Sequence, residues 1–168
     1  FAGIGADLPV RSYIDGELER VQTALSGALP HERVIVANWS QDRQVIIAAG
    51  HDIGRSTTYY LYDRGQGSVS VAGDEFVNFN GREIPSTESF SYTARDGLEI
   101  PAYLTLPPGM ARADGPFPLL LMPHGGPQAR DTGQLDTYAN YLAEKGYAVL
   151  RPNFRGSSGY GQAFIEAG

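Results

Sequence analysis

An apolar run that leads directly into a glycine turn constrains the fold of this chain more than any other feature. Residues 117–127 read FPLLLMPHGGP. Apolar residues then recur at helical spacing over 135–145, Gly146 supplies a C-terminal stop, and a second apolar run occupies 147–150. A strand, a helix and a strand in this order predict a right-handed crossover and a parallel sheet. We therefore predict an α/β fold in which strand 119–122 is buried on both faces.

The first half of the chain carries a different pattern, in which short apolar runs alternate with polar turns. Four runs rich in β-branched and aromatic residues lie at 33–39, 44–49, 57–62 and 68–72. Their even spacing predicts four antiparallel strands that form one blade of a β-propeller. A single blade has two unpaired edges, so we expect further blades beside it and interpret the chain as a piece of a longer protein.

Three details complete the prediction for this half. The spacing of its apolar residues predicts a helix over 15–25 that ends at Gly27. The aromatic residues expected in the blade core are Trp39, Tyr59, Tyr60 and Tyr62. His31 and His51 fall in polar turns, where we expect them to be solvated, and the lack of a third ligand nearby argues against a metal site.

The pattern changes across an aperiodic stretch at 73–88, which we interpret as a linker. We therefore predict two domains. Residues 1–88 are the C-terminal part of a propeller with its linker, and residues 89–168 are the N-terminal part of an α/β domain. That second domain opens with two strands on either side of a hairpin turn, RDG at 95–97.

Composition excludes several classes of function. The net charge is −6 and the pI is near 5.0, so no basic surface is available for nucleic acid. No apolar run is long enough to span a bilayer, and the absence of cysteine rules out disulfides and thiolate metal sites. We expect no metal and no cofactor. A cysteine-free chain fits the cytosol or the periplasm, with the cytosol slightly favoured.

The glycine turn has the residues needed to stabilise a negative charge. Hydrolysis of an acyl bond passes through a tetrahedral oxyanion, and N–H groups aimed at that oxygen lower the barrier. Gly125 and Gly126 lack Cβ atoms, so a substrate carbonyl can approach their backbone, whereas Pro127 has no N–H. We predict that Gly126 donates and that His124 fixes the turn rather than acting as a base. An ordinary strand-to-loop turn is the alternative.

A second candidate loop, RPNFRGSSGYG at 151–161, follows the second apolar run, at the edge where α/β sheets place ligand sites. Arg155 could bind a substrate carbonyl or carboxylate, or it could pair internally, and we favour the structural role. Tyr160 is a further candidate for substrate binding. Ser157 and Ser158 are not expected to be nucleophiles, because neither has glycine two residues before and two residues after it.

The sequence contains this turn but not a complete catalytic triad. Gly-x-Ser-x-Gly does not occur, and the only histidines are His31, His51 and His124. In an α/β-hydrolase the order along the chain is Ser, then Asp or Glu, then His, so no triad in that order can be completed here. We therefore expect the nucleophile, the acid and the catalytic histidine to lie outside these residues, and we expect this chain alone to be inactive.

Four stretches together resemble the prolyl oligopeptidase family of serine peptidases, in its acylaminoacyl-peptidase and dipeptidyl-aminopeptidase-like branch. They are SYTARDGLEIPAYL at 91–104, PHGGP at 123–127, KGYAV at 145–149 and NFRGSSGYG at 153–161. The resemblance implies a propeller that precedes an α/β-hydrolase domain and restricts access to it. It also implies a peptidase that acts on short peptides, with an oxyanion donor at Gly126 and the rest of the same protein as its partner.

Two alternatives stay open. A carboxylesterase of the α/β-hydrolase fold would share the glycine turn but would not normally follow a propeller blade. A non-catalytic peptide-binding homologue would lack the serine, so the residues after Gly168 would distinguish it from an enzyme. The sequence does not indicate exo-, endo- or isopeptidase activity, and it leaves a homo-oligomer open.

Overall fold

The computed structural model describes residues 7–77, 83–126 and 128–168. Pro127, which was excluded as a donor, and part of the predicted linker, 78–82, lie outside the described residues. The helices and strands are α1 Gly16–Ala28, β1 Arg33–Trp39, β2 Val45–His51, β3 Thr58–Asp63, β4 Ser68–Asp74, β5 Ser86–Thr93, β6 Glu99–Leu106, β7 Leu119–Leu121, α2 Thr137–Glu144, β8 Ala148–Pro152 and α3 Gln162–Glu166. None of the helices in these ranges is long and apolar enough to cross a membrane.

Strands β1 to β4 form one sheet, called here the first sheet, in which each strand pairs antiparallel with the next. The prediction of four antiparallel strands is therefore confirmed. Alternate residues of β1 and β2, including Val34, Val36, Ile46 and Ala48, point into a core that Leu25 of α1 covers. Ile35 and Ala49, which lie on the opposite face of these strands, are buried as well, so β1 and β2 are covered in part on both faces.

Helix α1 begins where the sequence places it and ends later. The carboxylate of its N-cap, Asp15, accepts hydrogen bonds from the N–H groups of Glu17 at 2.9 Å and Leu18 at 3.2 Å. The predicted stop at Gly27 is wrong, because the helix continues to Ala28. Leu29 ends it by adopting an extended conformation while its N–H bonds the carbonyl of Leu25.

Three predictions about the first sheet need correction. Trp39 lies at the end of β1 and is 38% exposed, so it is not a core residue, whereas Tyr60 is in the core. His31 is not solvated: Nδ1 lies 2.7 Å from Asp52 Oδ2, and Nε2 lies 2.7 Å from the Tyr60 hydroxyl. His51 is buried beside Thr57, and this burial lowers the pKa of its imidazole. The burial of these two histidines depends on partners that are distant in the sequence or lie on a neighbouring strand. The residues next to each histidine in the sequence therefore do not predict it.

Strands β5 to β8 form the second sheet, in the order β5-β6-β8-β7. β7 and β8 are parallel, with Leu120 opposite Val149, as the strand–helix–strand pattern predicts. β5 starts at Ser86, before the predicted domain boundary at residue 89, and β4 runs to Asp74, so both strands enter the predicted linker.

The prediction that strand 119–122 is buried on both faces is wrong. β7 has β8 as its one neighbour among the described strands, and Leu119 and Leu121 are 57% and 65% exposed. An edge position explains this exposure, because only one side of the strand is paired and nothing in the described ranges covers these leucines.

The two sheets meet near the loop that joins β7 to α2. Gly54, in the turn between β2 and β3, donates its N–H to the carbonyl of Gly133 at 2.7 Å. Gly133 in turn donates to the carbonyl of Asp7 at 2.7 Å, and the Tyr103 hydroxyl donates to Asp7 Oδ1 at 2.6 Å. These contacts fix the loop between the first sheet and strand β6.

Candidate active site

Two loops meet at the carboxyl ends of the parallel strands β7 and β8. The glycine turn, residues 124–126, follows β7, and the loop 153–161 follows β8. The N–H of Met122 donates to the carbonyl of Leu150 at 2.8 Å, so the two strands stay paired up to the point where the loops begin. This edge of a parallel sheet is where α/β proteins place their ligand sites.

The glycine turn presents backbone donors at the surface. Gly125 and Gly126 are exposed, and within the described ranges neither N–H makes a hydrogen bond to another residue. The carbonyl of Gly126 accepts from the N–H of Ala129 at 2.6 Å, which closes the turn on its far side. Both N–H groups are therefore available to an incoming acceptor such as a carbonyl oxygen.

Gly126 has a backbone φ of +59°, in the left-handed region that favours glycine. A Cβ is strained at this φ even though no atom of the described residues lies within 4 Å of its ideal position, so alanine at residue 126 should cost stability as well as activity. A test of this residue therefore needs a control with the same backbone strain.

His124 joins the glycine turn to the second loop. Its ring stacks on Phe154, with centroids 4.5 Å apart and planes at 19°, and its Nε2 lies 2.8 Å from the Ser157 hydroxyl. Ser157 is fully buried, and its only hydroxyl proton is donated to the carbonyl of Phe154 at 2.6 Å. Nε2 of His124 must therefore donate to Ser157 rather than accept its proton. This pair is arranged as a brace, not as a nucleophile with its base.

Asn153 connects the second loop to the residues that follow the glycine turn. It is fully buried, and its Oδ1 accepts from the N–H of Asp131 at 2.7 Å while its Nδ2 donates to the carbonyl of Asp131 at 3.1 Å. Close by, the N–H of Ser158 donates to the carbonyl of Ala129 at 3.0 Å. Asn153 was not among the site residues predicted from the sequence, although a polar residue directly after a buried strand is a signal that could have identified it.

Arg155 lies at this edge but has an internal partner. Its guanidinium makes a bidentate pair with Asp96 of the β5–β6 turn, with Nη1 2.7 Å from Oδ2 and Nη2 2.9 Å from Oδ1. The hydrogen bond from Arg155 is the main reason that the pKa of Asp96 is lowered to about 2. This geometry favours the structural role of Arg155, and substrate binding by it stays a prediction.

Tyr160 is a half-buried residue of the second loop. Its hydroxyl accepts a hydrogen bond from Asn153 Nδ2 at 2.7 Å, and its ring lies 4.9 Å from the guanidinium carbon of Arg130 and 5.2 Å from the Phe164 ring. Burial raises the pKa of the Tyr160 phenol. The phenol therefore stays neutral at physiological pH, and its role in substrate binding stays a prediction.

A buried charge cluster supports the same loops from below. Arg151 is 3% exposed, and its Nη1 lies 3.6 Å from Asp131 Oδ1 and 3.5 Å from Asp136 Oδ2. Burial raises the pKa of Asp131, and the positive charge of Arg151 acts in the opposite direction. No group of three or more histidine, aspartate or glutamate side chains in the described ranges could hold a metal ion.

Comparison with known proteins relates this chain to one family of peptidases. A family profile described as the prolyl oligopeptidase family matches residues 134–168. Dipeptidyl aminopeptidase BIII from Pseudoxanthomonas mexicana is 39% identical over 115 residues, which are 66% of this chain and 17% of that protein. The human acylamino-acid-releasing enzyme is 37% identical over 81 residues, which are 48% of this chain and 10% of that enzyme.

The chain also resembles solved structures of peptidases. The structure of a Mycobacterium tuberculosis puromycin-hydrolyzing peptidase superposes with a TM-score of 0.61 and 25% identity, over 83% of this chain and 22% of that one. The chain thus spans less than a quarter of the length of each of these three proteins.

Proposed function

Because the chain belongs to the prolyl oligopeptidase family of serine peptidases, we propose that the protein containing it hydrolyses short peptides through an acyl-enzyme. This chain supplies the oxyanion side of the reaction. The observation that carries the proposal is the pair of exposed, unpaired N–H groups at Gly125 and Gly126 in the described structure, held at the carboxyl edge of two parallel strands.

The Gly126 N–H binds the oxygen of the scissile carbonyl as negative charge develops on it. A preorganised donor costs no reorganisation at that moment, and removing one such donor lowers kcat by about 10²–10³-fold in a well-studied serine peptidase. His124 holds the turn through Ser157 and Phe154 rather than moving a proton. The serine, the aspartate, the catalytic histidine and a second oxyanion donor come from other residues of the same protein.

The first sheet is one blade of a propeller that covers the site and restricts its substrates to short peptides. Its outer strand β4 carries Val69 and Val71, which are 40% and 63% exposed and form a surface that a neighbouring blade can cover. The turn at Gly54 already contacts the loop at Gly133, so this blade lies close to the residues that follow the glycine turn.

The names of the relatives suggest two substrate classes to test. They are peptides from which a dipeptide is released and peptides that begin with an acylated amino acid. Full-length protein should be assayed with chromogenic dipeptidyl, acyl-aminoacyl and simple ester substrates, before and after treatment with a serine-directed fluorophosphonate. We expect peptide or acylamino-acid turnover that the fluorophosphonate abolishes. Turnover of esters alone would favour a carboxylesterase, and peptide binding without turnover or labelling would favour a non-catalytic homologue.

A further inference from the structure

Asn153 lies at the centre of the contacts that fix the loop after the glycine turn, and we propose that it is a positioning residue for the oxyanion donor. The proposal rests on the proposed function, because it explains how the Gly126 N–H is held in place. Asn153 itself touches neither the substrate nor the reacting atoms; it acts through Asp131 and the turn.

Asn153 is itself held firmly. Its backbone N–H donates to the carbonyl of Pro101 at 2.8 Å, directly beyond the last β6–β8 pair, Ala102 opposite Pro152. Its side chain is fully buried and is also fixed by the Tyr160 hydroxyl. The position of the Asn153 side-chain amide is therefore determined by the second sheet.

The amide pairs with both backbone groups of a single residue. Oδ1 accepts from the Asp131 N–H at 2.7 Å and Nδ2 donates to the Asp131 carbonyl at 3.1 Å, so the side chain imitates a partner strand. This pattern needs a donor and an acceptor in one planar group, which asparagine has. Aspartate lacks the donor, and leucine lacks both.

Ala129, which lies between Gly126 and Asp131 in the chain, connects the same segment to Gly126 and to the second loop. Ala129 donates its N–H to the Gly126 carbonyl at 2.6 Å and accepts from the Ser158 N–H at 3.0 Å. On the other side of the turn, His124 is held by Ser157 at 2.8 Å. Residues 153–158 thus hold both ends of the segment that contains Gly126, and Asn153 provides the two bonds farthest along it.

Loss of the clamp should act on the transition state more than on the bound substrate. A shift of about 1 Å in a catalytic group can lower the rate by roughly 10²-fold, although the substrate still binds. Removing Asn153 lets the loop relax without removing the Gly126 N–H. We therefore expect a partial loss, smaller than the loss caused by deleting the donor.

The test compares Asn153→Ala with Asn140→Ala in the full-length protein. Asn140 is the matched control, because it is also a fully buried asparagine, but its Nδ2 donates to the carbonyl of Asp136, the N-cap of helix α2, and not to a residue of the turn. For each variant we would measure kcat, KM and thermal unfolding. We would also measure inhibition by a peptide aldehyde and by the product peptide.

The aldehyde reports on the oxyanion site. Its carbonyl carbon forms a bond to the serine Oγ, the serine proton passes to the catalytic histidine, and the former carbonyl oxygen takes the place of the oxyanion. The product peptide makes no such bond. We expect Asn153→Ala to weaken inhibition by the aldehyde by about 10–100-fold and to lower kcat by a similar factor. Inhibition by the product peptide should change less than about threefold.

The outcomes are distinguishable. Asn140→Ala should lower the melting temperature, but it should not weaken inhibition by the aldehyde more than inhibition by the product peptide. Equal losses of aldehyde and product binding in Asn153→Ala, or the same selective loss in both variants, would overturn the positioning role. If Asn153→Ala does not fold, Asn153→Asp replaces it, with the same selective loss expected and an unchanged aldehyde constant contradicting the proposal. A wild-type protein with neither peptidase activity nor aldehyde inhibition would overturn the proposed function as well.

Discussion

The glycine turn at 124–126 and the second loop, residues 153–161, called the polar loop below, lie side by side but are built in opposite ways. In the turn, Gly125 and Gly126 are exposed and their N–H groups are unpaired among the described residues. In the polar loop, Asn153 and Ser157 are fully buried, and each makes a hydrogen bond to another segment, Asn153 to Asp131 and Ser157 to His124. The segment that must leave donors open for a substrate has few contacts of its own, so its neighbour supplies its rigidity.

We first predict that neither loop carries a nucleophile, which concerns the complete presence or absence of activity. Because Ser157 is buried and donates its proton to a carbonyl, Ser157 and His124 should not act as a nucleophile and its base. Purified chain 1–168 should show no turnover of acyl-aminoacyl or dipeptidyl chromogenic substrates above buffer. Turnover that survives further purification and is lost in Ser157→Ala would show that the polar loop is catalytic, and it would contradict the structural role assigned to that loop.

The next prediction separates catalysis from strain at the glycine turn. Gly126→Ala should lower kcat and kcat/KM of the full-length protein by roughly 10–100-fold, because the methyl group displaces the carbonyl that the N–H must bind. Gly67→Ala is the control, since Gly67 has a φ of +63°, compared with +59° at Gly126, and no atom within 4 Å of its ideal Cβ.

Both alanine variants should lose about 1–2 kcal/mol of stability from the left-handed backbone. Only Gly126→Ala should lose activity, as steady-state kinetics and thermal unfolding on the same samples would show. Equal activity in the two variants would mean that Gly126 serves only the turn.

A moderate effect is expected when the brace between the two loops is cut. Ser157→Ala removes the acceptor of His124 Nε2 and the donor to Phe154, and a buried polar group left without its partner costs about 1–3 kcal/mol. We therefore expect a lower melting temperature with kcat reduced less than about tenfold. A loss near 10⁶-fold, which removal of a catalytic serine causes, would identify Ser157 as the nucleophile.

A small electrostatic effect is expected at Arg155, whose side chain in the polar loop is partly exposed. Arg155→Met should raise the pKa of Asp96 from about 2 towards its ordinary value of 3.8, although the hydrogen bond from the Leu98 N–H still lowers it. The folded pKa of Asp96 is depressed, so the pair stabilises the protein above about pH 4, and this contribution is lost as the pH falls through about 2.

An NMR titration of Asp96 in both proteins checks that shift, and kcat at neutral pH checks the role of Arg155. A surface pair with both side chains partly exposed should contribute little, so kcat should change less than about threefold. A large rise in KM with unchanged stability would instead assign Arg155 to the substrate.

Sequence predicted the features that depend on local periodicity. Residues 33–39 form β1 as predicted, and the crossover from β7 through α2 to β8 gives the predicted parallel pair. The RDG turn at 95–97 forms the β5–β6 hairpin, with the Gly97 φ at +88°. In these cases neighbouring residues determine the conformation, so pattern and turn chemistry are sufficient.

Sequence did not predict the features that depend on pairing between distant segments. Asn153 gains its role only because Asp131 is brought beside it, and His31 is buried only because Asp52 and Tyr60 are placed around it. Leu119 and Leu121 were predicted to be covered, but their exposure depends on which strand is at the edge of the sheet. Polar contacts over long sequence separations leave no periodic signal.

A crystal structure of the full-length protein with a peptide aldehyde bound covalently to its serine would show directly whether Gly126 is an oxyanion donor. We expect the Gly126 nitrogen to lie about 2.7–3.1 Å from the hemiacetal oxygen. We also expect the Asn153 amide to remain paired with both backbone groups of Asp131. A hemiacetal oxygen that faces away from residues 124–126, or a Gly126 N–H that is bonded within the protein, would rule out this role of the glycine turn.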